Sequence, residues 1–66
     1  MHVLINGETK EIPGGINVKA LLELLSLPQQ RIAIEINRDV IRRDDWEAMV
    51  VDENDRIEII HFVGGG

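Results

Sequence analysis

The segment Arg56-Ile57-Glu58-Ile59-Ile60-His61-Phe62, near the end of the chain, indicates the sheet topology most directly. In an extended strand, Ile57 and Ile59 lie on one face, while Ile60 and Phe62 lie on the other. A strand that is apolar on both faces is typical of a sheet centre, where both faces are covered. The stretch therefore predicts a central strand that needs a neighbouring strand on each side.

The beginning of the chain supplies two candidate neighbours for this strand. Residues 3–5 are apolar and lead into Asn6-Gly7, and residues 8–12 follow as a second extended segment. Asn-Gly between extended segments is a strong hairpin signal, because a type I′ turn needs positive φ at both central residues. Pro13 and the glycine pair after it end the segment. We predict an N-terminal β-hairpin.

A helix follows the hairpin. Asn17 stands at the position of an N-cap, and Pro28 ends the segment at about Ser26 or Leu27. Between them, four residues at i, i+3, i+4 and i+7 form one apolar helical face: Val18, Leu21, Leu22 and Leu25. Because the helix is short, it must pack on a sheet.

Two more strands lie between the helix and the final strand. Residues 32–36 alternate isoleucine with other residues, which is the pattern of a strand with one buried face. Residues 37–39 form a candidate turn before a short strand at 40–41. Residues 52–55 form a tight turn in which Asn54 is able to take a left-handed conformation. The resulting ββαββ order predicts an α+β domain of the ubiquitin-like β-grasp fold. We expect a mixed four- to five-stranded sheet against one main helix in residues 1–62, and a flexible reactive tail in residues 63–66.

The composition excludes several classes of function. The formal net charge of −5 argues against nucleic-acid binding, which needs a basic face. The chain has no apolar run long enough for a membrane span and no signal peptide, so we expect a cytoplasmic protein without membrane contact. Cysteine is absent, and the chain holds one serine and one threonine. We therefore expect that the chain is not an enzyme by itself.

The sequence ends in three glycines that directly follow the last apolar strand. Such a tail can be a disordered end or a cloning remnant. It can also pass through a narrow channel of a partner, because no Cβ atom keeps the channel walls apart. On that interpretation the C-terminal carboxylate of Gly66 is the reacting group, and Val63, Gly64 and Gly65 contact the partner.

Other residues near the tail are candidates for partner binding. Leu4 and Ile60 form an apolar patch beside the tail if they point outward from neighbouring strands, and Phe62 extends this patch. Residues 39–58 contain eight acidic residues. These form either a solvated face or a docking surface for a basic partner, with Asp55 and Glu58 as the docking residues.

No metal site is predicted. His2 and His61 lie on strands that a β-grasp pairs, but no third ligand is evident. Residues 52–55 look superficially like a calcium loop, although Arg56 occupies the third acidic position. Trp46 is interpreted as a plug of the core.

Over all 66 residues the chain resembles the thiamin-biosynthesis sulfur carrier (ThiS) family. The resemblance depends on the following segments: Asn6-Gly7, Leu21-Leu22, residues 32–37, Arg43 with Trp46, residues 55–59 and residues 62–66. Three positions depart from the family pattern. Arg38 and Asn54 stand where glycine is common, and Arg42 stands where proline is common.

The resemblance implies a carrier cycle. A ubiquitin-activating-type adenylating enzyme (ThiF-like) would use ATP and Mg²⁺ to adenylate Gly66. A sulfur donor such as a cysteine desulfurase would then convert the adenylate to a thiocarboxylate, which a thiazole synthase (ThiG-like) would consume. The chain itself would bind no cofactor. The alternatives are a small subunit of molybdopterin synthase, a ubiquitin-like protein modifier, or a β-grasp binding module with an incidental tail.

Overall fold

A computed structural model describes residues 1–62. The elements in chain order are β1 (His2–Ile5), β2 (Glu8–Glu11), α1 (Val18–Leu24), β3 (Ile32–Ile36), β4 (Asp39–Ile41), a 3-10 helix (Arg43–Asp45) and β5 (Arg56–His61). The predicted ββαββ order is confirmed. The expected tail, residues 63–66, lies outside the described residues. No helix within residues 1–62 has the length and apolar character of a membrane span.

The five strands form one mixed sheet in the order β2-β1-β5-β3-β4. β5 runs parallel to β1 and antiparallel to β3, so the last strand has a neighbour on each edge. The two antiparallel hairpins, β1–β2 and β3–β4, lie on either side of it. This is the predicted β-grasp arrangement with a central last strand.

The prediction that both faces of β5 are covered is wrong. Ile57 is buried and Ile59 is half-buried, on the face that packs on the core. On the opposite face, Ile60 is 44% exposed and Phe62, just past the strand, is 58% exposed. β5 is therefore central because it is paired on both edges, and its outer apolar residues remain at the surface.

Both hairpins turn through residues with positive φ. Asn6 and Gly7 have φ values of 50° and 83°, and Asn37 and Arg38 have values of 52° and 74°. Positive φ at both central positions is the type I′ conformation that two-residue hairpins favour. Asparagine and glycine adopt it readily, whereas for arginine the left-handed region is sterically unfavourable. Arg38 therefore holds a strained backbone.

Replacing Arg38 with glycine is expected to stabilise the fold. The left-handed conformation costs a side-chain-bearing residue about 1–2 kcal/mol, and the added chain entropy of glycine offsets part of the gain. We expect the R38G variant to show a free energy of unfolding higher by roughly 0.5–1 kcal/mol in urea denaturation. R38A removes the same charge but keeps the strain, so it should not be stabilised. Equal stability of the two variants would contradict the argument.

The helix begins as predicted and ends earlier than predicted. The Asn17 side chain accepts a hydrogen bond from the Ala20 N–H at 2.7 Å, which makes it the N-cap of α1. Helical residues stop at Leu24, before the predicted end, because Ser26 takes a left-handed conformation with φ of 58°. The Ser26 and Leu27 amides then donate to carbonyls of the last turn, as in a Schellman motif.

The core lies between α1 and the inner face of the sheet. It consists of twelve buried apolar residues: Val3, Ile5, Ile12, Val18, Leu21, Leu22, Ile32, Ile34, Ile36, Trp46, Val51 and Ile57. Trp46 donates its indole N–H to the Ile41 carbonyl at 3.0 Å, and the Arg43 guanidinium lies 4.9 Å from its ring centre. The interpretation of Trp46 as a core plug is confirmed.

Candidate functional site

The end of β5 positions the chain just before residues 63–66. On the β3 side, the Phe62 N–H donates to the Arg31 carbonyl at 2.8 Å. On the β1 side, the Asn6 side chain binds Ile59 twice, since its Oδ1 accepts from the Ile59 N–H at 2.8 Å and its Nδ2 donates to the Ile59 carbonyl at 3.2 Å. The last residues of β5 are thus held from both edges, at two points only a few residues before Val63.

Asn6 takes the place of a strand residue in this arrangement. Its backbone N–H donates to the Ile57 carbonyl at 2.9 Å, which continues the parallel pairing of β1 and β5. The chain then turns away at Gly7, and the amide side chain of Asn6 binds the next residue that faces this edge, Ile59. An amide side chain carries both a donor and an acceptor, so it can pair with both groups of one backbone residue.

Asn6 and Arg31 were not predicted as part of the site. The Asn-Gly signal explains the turn completely, so the sequence contained no separate indication of the side-chain contact to Ile59. Arg31 acts through its backbone carbonyl, which carries no side-chain signature. Its φ of 59° is a second case of arginine in the left-handed region.

The predicted apolar patch is only partly assembled. Leu4 lies directly opposite Arg56, and Ile60 lies opposite Ala33. Leu4 and Ile60 share the outer face, but four residues of β5 separate their positions, which is about 13 Å along a strand. The apolar surface at the end of β5 therefore consists of Ile60 and Phe62 with the half-buried Ala33, and Leu4 is not adjacent to it.

Glu58 occupies the outer face between these apolar positions. It is exposed and lies directly opposite the half-buried Glu35 of β3. Like charges at directly opposite positions of an antiparallel pair are destabilising. The central outer surface of the sheet therefore carries two adjacent negative charges, which a cationic group of a partner would neutralise.

Asp55 is part of the fold, in contrast to the prediction for it. It is 9% exposed, and its two carboxylate oxygens accept from the Asn37 Nδ2 at 3.0 Å and the Asp52 N–H at 2.8 Å. Asn37 in turn accepts from the Arg56 N–H at 3.0 Å. These contacts tie the turn before β5 to the β3–β4 turn, so we assign Asp55 a structural role and leave it out of the docking surface.

The histidines do not form a metal site. β1 and β5 are parallel, with Leu4 opposite Arg56, so His2 at the start of β1 and His61 at the end of β5 lie at opposite ends of the sheet. Within residues 1–62, no group of three or more histidine, aspartate or glutamate side chains could hold a metal ion. The residues predicted to form the reacting end, Val63, Gly64, Gly65 and Gly66, lie outside the described residues.

Comparison with known sequences gives a consistent set of relatives. The sequence model of the ThiS family matches residues 3–66. The chain is 30% identical to the sulfur carrier protein ThiS of Escherichia coli (strain K12), over the whole length of both proteins. It is also 36% identical over 66 residues to the thiazole synthase of Magnetococcus marinus. The chain spans only 20% of the length of that thiazole synthase.

Comparison with solved structures agrees with the sequence relationships. The crystal structure of the thiamine biosynthesis protein ThiS from Geobacter metallireducens matches with a TM-score of 0.87 and 30% sequence identity, covering 100% of both chains. A solution structure of a thiamine biosynthesis protein from the same organism matches with a TM-score of 0.81 and 32% identity, covering 100% of this chain and 88% of the other.

Proposed function

The chain belongs to the ThiS family, and we propose on this basis that it is a sulfur carrier for thiamin biosynthesis whose reacting group is the carboxylate of Gly66. The observation that carries the proposal is the full-length similarity to the Escherichia coli sulfur carrier, which extends through the glycine tail. The fold supports it, because the central strand β5 leads directly to residue 63.

The proposed chemistry begins with activation of a weak electrophile. A carboxylate oxygen of Gly66 attacks the α-phosphorus of ATP, and pyrophosphate leaves. A persulfide sulfur then attacks the acyl carbon and displaces AMP, and a thiol cleaves the resulting S–S bond to leave the thiocarboxylate. Cationic groups that stabilise the phosphoryl charge are needed for the first step. We assign these groups, together with ATP and Mg²⁺, to a ThiF-like adenylating enzyme.

The remaining partners follow from the same proposal. A thiazole synthase receives the sulfur, and support comes from relatives named thiazole synthase that contain a region similar to this whole chain. A cysteine desulfurase is the proposed source of the persulfide. In this scheme the chain is a co-substrate with no bound cofactor and no catalysis of its own, and it acts in the cytoplasm.

Intact mass spectrometry of the protein from its own cells tests the proposal. We expect a fraction in which one oxygen is exchanged for sulfur, localised by fragmentation to Gly66. Incubation with ATP, a persulfide donor and candidate adenylating enzymes should increase this fraction. If neither material contains the thiocarboxylate, the carrier function is wrong, and a protein modifier or a binding module becomes the better account. Sulfur transfer to molybdopterin precursors in place of thiazole would assign the protein to the other carrier branch.

Reversing the charge of Glu58 should slow association with the adenylating enzyme. We expect E58K to reduce the association rate about tenfold at low salt, because complementary charges steer encounter, and the difference should shrink as salt is added. The fold should tolerate the change, since lysine opposite Glu35 replaces a repulsive pair with an attractive one. Stopped-flow association kinetics at several salt concentrations measure the effect.

E23K is the matched control. Glu23 is exposed on α1, which packs on the opposite face of the sheet from Glu58. The E23K variant changes the net charge by the same amount as E58K. It should leave the association rate nearly unchanged if the surface around Glu58 is the docking surface. Equal slowing by E23K and E58K would show that only the overall charge of the chain matters.

A further inference from the structure

Among residues 1–62, the last residue of β5 has no hydrogen-bond partner on one edge of the strand. Alternate residues of a strand direct their N–H and C=O groups to opposite edges. The Arg56 carbonyl accepts from Asn37, and the Phe62 N–H donates to Arg31, so the even-numbered residues pair with the β3 side. Ile57, Ile59 and His61 consequently direct their backbone groups to the β1 side.

The hydrogen-bond partners that β5 has on its β1 side end before His61. The Ile57 carbonyl accepts from the Asn6 N–H, and Ile59 is bound twice by the Asn6 side chain. His61 lies opposite Ile32 of β3, and the Phe62–Arg31 bond makes these two residues a non-hydrogen-bonded pair of the antiparallel ladder. Within residues 1–62, no turn, loop or side-chain hydrogen bond reaches the N–H or C=O of His61 either. In the part of the chain that the structure describes, the central strand therefore ends with one open donor and acceptor pair, on an exposed residue.

A groove lies beside this open edge. It has a volume of about 320 Å³ and an apolar floor formed by Ile5, Leu25, Leu27 and Ile59. His61 and Lys10 are among the residues at its exposed margin. The groove can accept an apolar side chain from a segment that lies along the edge of β5.

We propose that the open edge of β5 at His61 binds an extended segment of the adenylating enzyme, which adds as a strand and places an apolar side chain in the groove. The inference rests on the proposed function. The N–H and C=O of one strand residue face the same way and can pair with the backbone of an extended segment. The two bonds between the Asn6 side chain and Ile59 show the same geometry two residues earlier on this edge.

The position of the edge and the net charge of the chain favour a segment of the enzyme over a second copy of the chain as the binding partner. His61 lies two residues before Val63, so an enzyme that binds the tail also contacts the protein beside this edge. Two copies of the chain would each bring a formal net charge of −5 to a shared interface. Strand addition would fix the direction in which the tail enters the enzyme.

The variant H61P tests the proposal, with H61A as control. Proline removes both the imidazole and the His61 N–H, which the described fold does not use, whereas alanine removes the imidazole and keeps the N–H. The difference between the two variants therefore reports the N–H. The quantity measured is the Kd of the complex between this protein and the adenylating enzyme that leads to its loading with sulfur. We expect H61P to raise this Kd about tenfold and H61A to change it less than about twofold. In the wild-type protein, hydrogen exchange of the His61 amide should be fast when free and at least tenfold slower in the complex.

The outcomes separate this inference from the proposed function. Suppose that the enzyme loads the wild-type protein with sulfur. If folded H61P then binds the enzyme with unchanged affinity, or if the His61 amide stays unprotected in the complex, the strand addition is wrong and the carrier function stands. If H61P does not fold, the exchange measurement on the wild-type protein decides. If no adenylating enzyme loads the wild-type protein, the carrier function fails, and the inference fails with it.

Discussion

Removal of Gly65 and Gly66 is expected to abolish thiocarboxylate formation and to leave the unfolding temperature unchanged. The shortened chain ends about 7 Å earlier in extended form, so its carboxylate cannot reach the position where the full-length chain reacts. Misplacement of a reacting group by even 1 Å can cost about 10²-fold in rate, so we expect a loss of at least that size. All twelve core residues lie between Val3 and Ile57, so the fold keeps its stabilising contacts.

Two further variants define the cause of this loss. One residue added after Gly66 should be as damaging as the deletion, because the activated carboxylate would then belong to a different residue. G14A should load with sulfur normally, since a Cβ atom at Gly14 meets no atom within 4 Å and its φ is not positive. Intact mass after incubation with enzyme, ATP and persulfide measures all three variants. Sulfur loading of the deletion variant would refute Gly66 as the reacting residue.

The sheet order was predictable because each strand carries a local signal. Asn6-Gly7 specifies the first hairpin, and the alternating isoleucines of β3 identify its buried face. The central position of β5 was also predicted, although for a partly wrong reason. Ile60 and Phe62 are apolar but exposed, and an apolar residue on a strand does not by itself show whether another element covers it.

The turns were predicted less completely than the strands, because several contain residues in an unfavourable left-handed backbone conformation. Ser26, Arg31 and Arg38 all have positive φ, and none of these residue types signals a left-handed conformation. The early end of α1 follows directly from Ser26. In each case the fold imposes a backbone conformation that the residue type does not favour, and a single sequence does not contain that information.

The candidate site was predictable as a region and not as a set of contacts. The sequence identified the end of β5, and the fold places Ile60, Phe62 and Glu58 on one outer face there. Strand register separates Leu4 from this group, and register was not specified by the pattern of apolar residues alone. The burial of Asp55 depends on Asn37 of another turn, a long-range contact without a sequence signature.

Substituting Leu22 with alanine is expected to remove most of the stability of the fold. Leu22 is 0% exposed in the middle of α1, within the core between the helix and the sheet. Truncating a buried leucine costs about 2–5 kcal/mol through lost apolar burial and the cavity that remains. A domain of this length has a free energy of unfolding of roughly 3–10 kcal/mol, so the variant should be marginally folded at best.

Leu24 supplies the matched control for this effect. It lies on the same helix but is 52% exposed, so L24A removes the same atoms and should cost less than about 1 kcal/mol. Trp46 is the only tryptophan and is 3% exposed, so its fluorescence reports unfolding of the core in urea. A large difference between L22A and L24A locates the stability in the helix–sheet interface. Equal losses would contradict this location of the stability, and helix propensity could not explain them, because alanine is a better helix former than leucine.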